Sequence, residues 1–248
     1  MLTEERHHEI LDLLNRRGAV TVIELTKLLK TSESTIRRDL NALARIGKLN
    51  KVHGGATALE RVMQDEEDMQ VKSQRFQREK EEIAQYAASL IRDGDFIYID
   101  AGSTTDKLVD AINNINVTYV TNGIIHARKL TQKGCKVYVI GGQFKPVTEA
   151  IIGAQALKSI ETFNFTKCFL GTNGIDKICG YTTPDVEEGL VKAEAIKRSF
   201  VSFVLADHSK FDAVSATVFG QLRQACIITD ELPDPSYQDI TVVKEVLK

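Results

Sequence analysis

Between residues 96 and 228, short apolar runs alternate with longer helical patterns, and this alternation constrains the fold more than any other feature of the sequence. The runs are short enough to be buried strands: Phe96–Ile99, Val117–Val120, Val137–Ile140, Lys167–Leu170, Phe200–Leu205 and Ala225–Ile228. Buried strands separated by helices predict a largely parallel sheet that is covered on both faces. We therefore expect residues 79–248 to form an α/β domain whose ligands bind outside the carboxyl ends of the strands.

The first 58 residues have a different pattern, with three helical segments in succession. Thr3–Arg17 has helical periodicity and is followed by Gly18, which favours a helix end. Thr21–Glu24 has the form of a capping box and predicts a second helix. Ser32 is a good N-cap for a third helix that runs to Ile46. This spacing indicates a helix-turn-helix.

The third helix has two faces of opposite character. Its apolar face is formed by Ile36, Leu40, Leu43 and Ile46, and this face is expected to pack on the other helices. The remaining surface is polar and cationic, and consists of Ser34, Thr35, Arg37, Arg38, Asn41 and Arg45. Arginine can pair with guanine and asparagine with adenine in a major groove, so these residues are candidate DNA contacts. The same pattern also fits a protein-interaction module whose charged face is merely solvated.

A pair of short strands is expected after the third helix. Lys48–Val52 alternates like a strand, His53–Gly55 forms a turn, and Ala56–Leu59 returns. Such a wing would place Lys51, His53 and Gly54 where they contact phosphates, which anchors a protein on DNA without reading its sequence. Residues 1–57 carry a net charge of +3, although the whole chain carries −2. A basic head on an acidic body fits a DNA-binding N-terminal domain.

Residues 59–78 are polar and contain the acidic run Asp65–Asp68. We expect a solvated helix or a flexible tether without a binding site. The sequence thus predicts a DNA-binding domain at residues 3–58, a polar linker at 59–78 and a sensor domain at 79–248.

Polar residues follow the predicted strands of the body. The strand at Phe96–Ile99 leads into Asp100–Thr105 and a helix, where Gly102 permits close approach and hydroxyl and amide groups face the helix N-terminus. This arrangement suits an anion, although serine and threonine are also ordinary N-caps. The other strand ends supply Asn122, Gly141, Gly142, Asn173, Asp207 and Lys210. Such a set can hold a phosphate and sugar hydroxyls, with Lys210 as the phosphate cation or as an ordinary exposed lysine.

Several classes of protein are disfavoured. No apolar run is long enough to span a bilayer, and Glu4 and Glu5 stand where a signal peptide would be cationic, so we expect a cytoplasmic protein. The four cysteines form no CxxC pair, and the five histidines form no HExxH motif. We therefore expect no metal site and no cofactor.

Two linked motifs of the head resemble those of DeoR-family repressors: Ser32–Leu40 and Lys51–Ala56. The resemblance continues into the body and implies a fold similar to ribose 5-phosphate isomerase. It also implies binding to double-stranded operator DNA, homo-oligomers, and release by a phosphorylated sugar. The effector pocket would then be formed by Asp100, Gly102, Ser103, Thr104, Asn122, Asn173 and the segment Asp207–Phe211. Thr105, Gly141 and Gly142 join this set from the strand ends.

Within that family, Tyr181–Asp185 with Glu187 and Lys192 resemble the branch that controls fructose use. This would make fructose 1-phosphate the effector and add Glu187 and Lys192 to the pocket. Repressors of the lactose type, which sense tagatose 6-phosphate, are the alternative.

An enzyme and a DNA-independent scaffold remain as competing functions. Glu187 is among the carboxylates that could abstract a proton beside a carbonyl. The glycine-rich catalytic segment of the isomerases is not recognisable after Gly141–Gly142, so we expect binding without catalysis. A scaffold would differ from a repressor in failing to retard duplex DNA from its own promoter.

Overall fold

The computed structural model describes residues 2–58, 62–63 and 68–247, so Leu59 and the acidic Asp65, Glu66 and Glu67 lie outside the described residues. The chain divides into two units, a head within residues 1–61 and a body within residues 62–248.

The head combines three helices with a small antiparallel sheet. In chain order its elements are α1 (Thr3–Arg17), β1 (Ala19–Thr21), α2 (Val22–Leu28), α3 (Glu33–Arg45), β2 (Asn50–Val52) and β3 (Gly55–Thr57). The sheet has the order β1-β3-β2, with β3 paired antiparallel to both neighbours. The sequence predicted the wing formed by β2 and β3, but it did not reveal that β1 pairs with the wing.

Local side-chain bonds explain where the head helices begin. The Thr21 hydroxyl accepts from the Glu24 amide while the Glu24 carboxylate accepts from the Thr21 amide, so the capping box at the start of α2 is confirmed. Ser32 caps α3 by accepting from the Thr35 amide at 3.2 Å. One residue departs from the expected apolar face of α3: Ile46 follows the last helical residue and is 65% exposed.

The body is built on a parallel sheet. Its strands are β5 (Phe96–Ile99), β6 (Thr118–Thr121), β7 (Lys136–Val139), β10 (Phe165–Gly171), β13 (Ser199–Leu205), β16 (Cys226–Thr229) and β17 (Val243–Glu245). The order across the sheet is β17-β16-β13-β10-β5-β6-β7, and each neighbouring pair is parallel. The order reverses between β5 and β10, because successive strands run outward from this pair in opposite directions. Such a switch point opens a crevice at the strand ends.

Helices connect these strands and smaller sheets flank them. The helices of the body are α4 (Met69–Gln74), α5 (Gln77–Ser89), α6 (Ser103–Ala111), α7 (Ile124–Gln132), α8 (Ala154–Ile160) and α9 (Val186–Lys197). The smaller pairings join β8 (Gln143–Lys145) to β9 (Ala150–Ile152), β4 (Val62–Met63) to β14 (Val214–Ser215), and β12 (Gly180–Thr183) to both β11 (Gly174–Asp176) and β15 (Thr217–Gly220). Among the described residues, no helix combines the length and the apolar composition that a membrane span needs.

Two apolar clusters, one on each face of the sheet, form the core of the body. One contains Tyr98 and Val120, and the other contains Ile97 and Tyr119. The expected parallel sheet with two covered faces is therefore confirmed. The strand expected at Val137–Ile140 is an exception to burial: it lies at the sheet edge as β7, where Tyr138 and Val139 are 43% and 45% exposed. Apolar composition alone does not distinguish an edge strand from a central one.

Candidate DNA-binding surface and ligand pocket

A buried ion pair holds the third helix of the head in place. The Nε of Arg6 on α1 lies 2.6 Å from the Oδ2 of Asp39 on α3, and its Nη2 lies 3.1 Å from Oδ1. The Nε2 of His7 is 3.2 Å from the same carboxylate. Burial alone would raise the pKa of Asp39, but the hydrogen bonds from Arg6 and His7 outweigh it and hold this pKa below 3.8. The pair thus fixes α3 against α1 by directional bonds as well as by apolar packing.

The opposite face of α3 is open to solvent. Ser34, Arg37, Arg38, Asn41 and Arg45 are exposed, and Thr35 is half-buried. The Nε of Arg38 donates to the Ser34 carbonyl at 3.4 Å, which is a long contact that leaves the guanidinium free to move to another acceptor. Arg37 faces Glu33 at 3.4 Å with both side chains 55% exposed. The predicted ridge therefore presents its donors to any surface that packs against α3.

A groove separates α3 from the wing. It is lined by Arg37 together with the wing residues Lys51, His53 and Gly54, so four of the predicted DNA contacts surround one concavity. Gly54 has a φ of +80°, and this left-handed conformation suits the tight turn between β2 and β3. Cationic side chains on both sides of a groove are able to straddle a phosphate backbone.

The principal pocket of the body lies at the switch point of the sheet. Its walls include Ala101–Thr104 after β5, Gly171–Asn173 after β10 and Asp207 with Ser209 and Lys210 after β13. The empty space amounts to about 760 Å³, with the open mouth included. The structure thus brings together segments that are more than 100 residues apart, because the carboxyl ends of parallel strands meet at one edge of the sheet.

The loop after β5 places donors at the pocket wall. Gly102 precedes α6, Ser103 and Thr104 begin it, and all three line the pocket. The first amides of a helix have no partner within the helix and carry part of its positive dipole. The first helical bond of α6 runs from the Asp106 amide to the Gly102 carbonyl at 2.8 Å, which leaves the preceding amides available to an anion.

Asp100 and Lys192 form a buried pair beside this loop. Asp100 is 2% exposed and Lys192 is 5% exposed, and their charged groups are in hydrogen-bond contact. Asp100 also accepts from the Gly171 amide at 3.2 Å, and Lys192 donates to the Gly171 carbonyl at 3.2 Å. Burial raises the pKa of Asp100, and the charge of Lys192 opposes that rise. The pair ties β5, β10 and α9 together beneath the pocket, where Lys192 reaches the wall.

The pocket is predominantly cationic. Its described lining residues include the basic Lys72, Arg75, Lys80, Lys192 and Lys210, against the acidic Glu188 and Asp207. Lys80 is 3% exposed and donates to the Lys72 carbonyl. Burial lowers the pKa of Lys80 to about 8; Asp207 opposes this shift, whereas Lys210 and Lys72 add to it. A bound anion would relieve this crowding of like charges.

Hydrogen-bond acceptors and one side-chain amide also line the pocket. Glu188 accepts from the Thr148 hydroxyl, and Asp207 accepts from the Ser209 amide at 3.1 Å. The Oδ1 of Asn173 accepts from Thr183 at 3.3 Å, so its side-chain NH₂ group can still donate to a ligand. Carboxylates and an amide in this arrangement can bind hydroxyl groups.

Several expected pocket residues lie outside the pocket lining. Thr105 is fully buried and donates to the Gly102 carbonyl at 2.9 Å, and Asn122 bonds the Ala101 amide at 2.8 Å, so both support the loop from behind. Gly141 and Gly142 follow the edge strand β7 and do not line the pocket. Glu187 points to solvent, whereas its neighbour Glu188 lines the wall, because adjacent residues of α9 differ by about 100° in direction.

Comparison with known protein families accounts for both units. A model described as "DeoR-like helix-turn-helix domain" matches residues 6–62, and one described as "DeoR C terminal sensor domain" matches residues 75–231. The chain belongs to the DeoR family. It is therefore a transcriptional regulator and not an enzyme. The helix-turn-helix implies DNA binding, and the sensor domain implies a small-molecule effector.

Curated relatives of this DeoR-family chain match it from end to end. FruR of Bacillus subtilis, described as an uncharacterized HTH-type transcriptional regulator, is 44% identical over 250 residues, which is 99% of each chain. The lactose phosphotransferase system repressor of Streptococcus mutans is 33% identical over the full length of both chains. Among solved structures, ribose 5-phosphate isomerase A of Methanocaldococcus jannaschii aligns with 53% of each chain at 15% identity and a TM-score of 0.40.

The structure also adds residues to the pocket of this regulator that were not expected there. They are Met69, Lys72, Arg75, Phe76, Lys80, Thr148 and Glu188. The first four fall in the segment expected to be a polar linker, where α4 is too short to show a clear apolar period. Lys80 lies on the buried face of α5 with Ile83 and Ala87. A buried lysine is rare, so this position was the sequence signal that could have identified Lys80 as a pocket residue.

Proposed function

We propose that this protein is a cytoplasmic repressor of a fructose-utilisation operon and that it leaves its operator when fructose 1-phosphate fills the body pocket. It would bind double-stranded operator DNA through α3 and the wing, as a homo-oligomer whose copies occupy repeated half-sites. The observation that carries this proposal is the composition of the pocket, which combines an excess of basic side chains, a helix N-terminus and a smaller set of hydroxyl-binding groups.

The cationic part of the pocket suits a phosphate. Lys210 has no hydrogen-bond or ion-pair partner for its side chain among the described residues, and it lines the same pocket as the start of α6. A phosphate between Lys210 and the amides of Ser103 and Thr104 would accept charge-assisted bonds from both sides. Lys80 and Lys72 would add to the attraction.

The remaining polar groups suit a sugar. Glu188 and Asp207 accept hydrogen bonds from hydroxyl groups, and Asn173 can donate one. Free phosphate would leave these groups without a ligand, so a phosphorylated polyol satisfies the pocket better than inorganic phosphate. The name of the Bacillus subtilis relative, FruR, favours fructose as the sugar.

A second candidate is tagatose 6-phosphate. Its support is the similarity to lactose phosphotransferase system repressors, at 32% to 34% identity over 91% to 100% of the chain. Both sugars carry one phosphate and several hydroxyls, and a single side chain of the pocket can decide which hydroxyls are bound.

The proposed base contacts can be tested at Arg38. Replacing Arg38 by alanine should weaken operator binding by roughly 1 to 3 kcal/mol, because a bidentate contact to a base would be lost. Lys51→Ala is the matched comparison on the wing: it should weaken operator and unrelated DNA alike and reduce the dependence on salt, since phosphate contacts carry no sequence information. Both are measured by titrating labelled duplexes at several salt concentrations. Operator affinity that Arg38→Ala leaves unchanged would contradict this assignment.

The proposed phosphate site can be tested by operator-release titrations at fixed salt. Lys210→Ala should raise the fructose 1-phosphate concentration needed for release by about tenfold or more, because a charge-assisted bond contributes about 1.5 to 3 kcal/mol. Ser103→Ala should raise it less, since a neutral hydrogen bond contributes about 1 kcal/mol.

Parallel titrations with fructose 6-phosphate and tagatose 6-phosphate identify the sugar. Release by tagatose 6-phosphate with fructose 1-phosphate inert would favour the second candidate. If both variants respond as the parent does, the phosphate lies elsewhere.

A further inference from the structure

An aromatic contact joins the segment between α4 and α5 to the turn after β13. Both segments contribute residues to the pocket wall. The ring of Phe76 packs on the ring of His208, with centroids 4.9 Å apart and an interplanar angle of 79°. Phe76 lies between α4 and α5, and His208 lies in the 3₁₀ turn His208–Lys210 after β13. This edge-to-face geometry is favourable for aromatic pairs.

His208 is held from behind by a buried carboxylate. Asp230 is 2% exposed, and it accepts both from the His208 amide at 2.7 Å and from the ring Nδ1 at 2.5 Å. The hydrogen bond to Asp230 raises the pKa of His208, with further contributions from the charges of Asp207 and Glu231. Because the backbone amide and the ring Nδ1 of His208 both bond to Asp230, the ring is held in one orientation. It therefore presents a fixed surface to Phe76.

Phe76 itself has an unfavourable backbone. Its φ of +52° and ψ of +44° are in the left-handed region, where a residue with an ordinary side chain is uncommon. Such a conformation is strained and persists when surrounding contacts hold it. Two contacts hold Phe76 here: its ring packs on His208, and its carbonyl accepts from the Lys80 amide at 3.0 Å.

We infer that Phe76, His208 and Asp230 are positioning residues of the effector pocket, and that they hold the segment Lys72–Phe76 as the pocket's cationic wall. The inference rests on the proposed function of this pocket. Phe76 directly follows Arg75, and the turn that carries His208 also carries Lys210. The contact between Phe76 and His208 therefore sets the spacing between Arg75 and Lys210, which would approach an anion from two different segments. Loss of the contact would leave every lysine present but no longer convergent.

The test compares two substitutions at position 76 in the full chain. Phe76→Asn removes the ring but tolerates the left-handed backbone, because asparagine adopts it readily. Phe76→Tyr keeps the ring. Calorimetric titration with fructose 1-phosphate, fructose 6-phosphate, tagatose 6-phosphate and inorganic phosphate should show the Kd of the bound ligand raised about fivefold in Phe76→Asn and unchanged within about twofold in Phe76→Tyr.

Thermal unfolding of the same variants separates positioning from general stability. Phe76→Asn should unfold at a midpoint no lower than that of the parent, since relief of backbone strain offsets the lost contact. Weaker binding at undiminished stability supports the inference. Equal affinity of parent and Phe76→Asn overturns it and leaves the proposed function intact. A parent that binds none of the four ligands overturns the proposed function itself, and with it this inference.

Asp230→Asn is the second variant, in case the substitutions at position 76 alter folding. The amide keeps the shape of the carboxylate but removes the charge that orients the His208 ring. We expect a smaller rise in Kd, about twofold to threefold, because the ring keeps its place in the turn but loses a charge-assisted bond. An unchanged Kd would show that the orientation of His208 does not matter to the ligand.

Discussion

Asp39→Ala is expected to abolish operator binding. Asp39 and Arg6 have side chains 6% and 11% exposed, and removal of one partner leaves a buried charge without compensation. Breaking such a pair costs about 3 to 5 kcal/mol, which is a large part of the stability of a head with so small a core. Amide hydrogen exchange over residues 3–57 of the full chain, together with an operator titration, measures both effects.

Two further variants establish the reason for this loss. Glu33→Ala removes the exposed ion pair with Arg37, which contributes no more than about 0.5 kcal/mol, so amide protection in the head should hardly change. The double variant Arg6→Met with Asp39→Leu replaces the ion pair by apolar groups and should recover most of the protection. Failure of the double variant to recover would show that the pair's directional bonds, and not merely the absence of an isolated charge, hold α3 in place.

Acid should weaken the head for the same reason. The pKa of Asp39 is below 3.8 in the folded head, so the contribution of the pair is complete above the unfolded value of about 3.8. It is lost as the pH falls through the lower, folded value. The same exchange measurement, repeated in acid, should show smaller differences between the parent and Asp39→Ala.

Lys192→Met is the second substitution with a large expected effect, and it acts on the body. Asp100 is 2% exposed and would lose the cation that it contacts, so the free energy of unfolding of the body should fall by about 3 to 5 kcal/mol at neutral pH. Release by the proposed sugar phosphate should weaken as well, since Lys192 lines the pocket. Urea unfolding monitored by circular dichroism gives the first quantity, and operator titration gives the second.

The pH dependence of this variant has a definite sign. Burial raises the pKa of Asp100 even with Lys192 present, and without Lys192 the folded-state pKa rises further above the unfolded value. A folded state that binds its proton more tightly gains stability as the pH falls through that raised pKa. The deficit of Lys192→Met should therefore be smaller at pH 5 than at pH 8.

A double variant provides the control for the body. Lys192→Met with Asp100→Asn removes the isolated charge but keeps an acceptor for the Gly171 amide, so it should recover most of the lost stability at pH 8. It should not recover the response to the proposed sugar phosphate, because the pocket still lacks one of its cations. Recovery of both would remove Lys192 from the set of ligand-binding residues.

The helices and strands of this protein were predictable wherever they depend on a pattern of neighbouring residues. The capping box at Thr21–Glu24, the N-cap Ser32 and the alternation of apolar runs with helices are properties of neighbouring residues. These patterns were sufficient to predict the helix-turn-helix, the wing and the parallel sheet. The loop at Gly102–Thr104 was predictable as well, because the end of a buried strand before a helix is a recognisable position.

Pairs between distant segments were not predictable in this way. Nothing local reveals that Asp39 meets Arg6, although an acid among Ile36, Leu40 and Leu43 was a signal that a buried partner existed. Likewise, Glu187 and Glu188 are indistinguishable by composition, and only the direction of α9 against the sheet selects Glu188 for the pocket.

By itself, then, the sequence determined which segments become helices and strands, which faces of them are apolar, and which polar residues stand at strand ends. The tertiary structure alone decided which strand lies at the sheet edge, where Tyr138 is half exposed, and which segment completes the pocket, where Lys72 and Phe76 meet Lys210. The physical reason is the sequence separation of the interacting residues. Helix capping and apolar periodicity involve residues a few positions apart, so they can be recognised in the sequence. The pocket depends on the strand order, which brings together residues more than 100 positions apart.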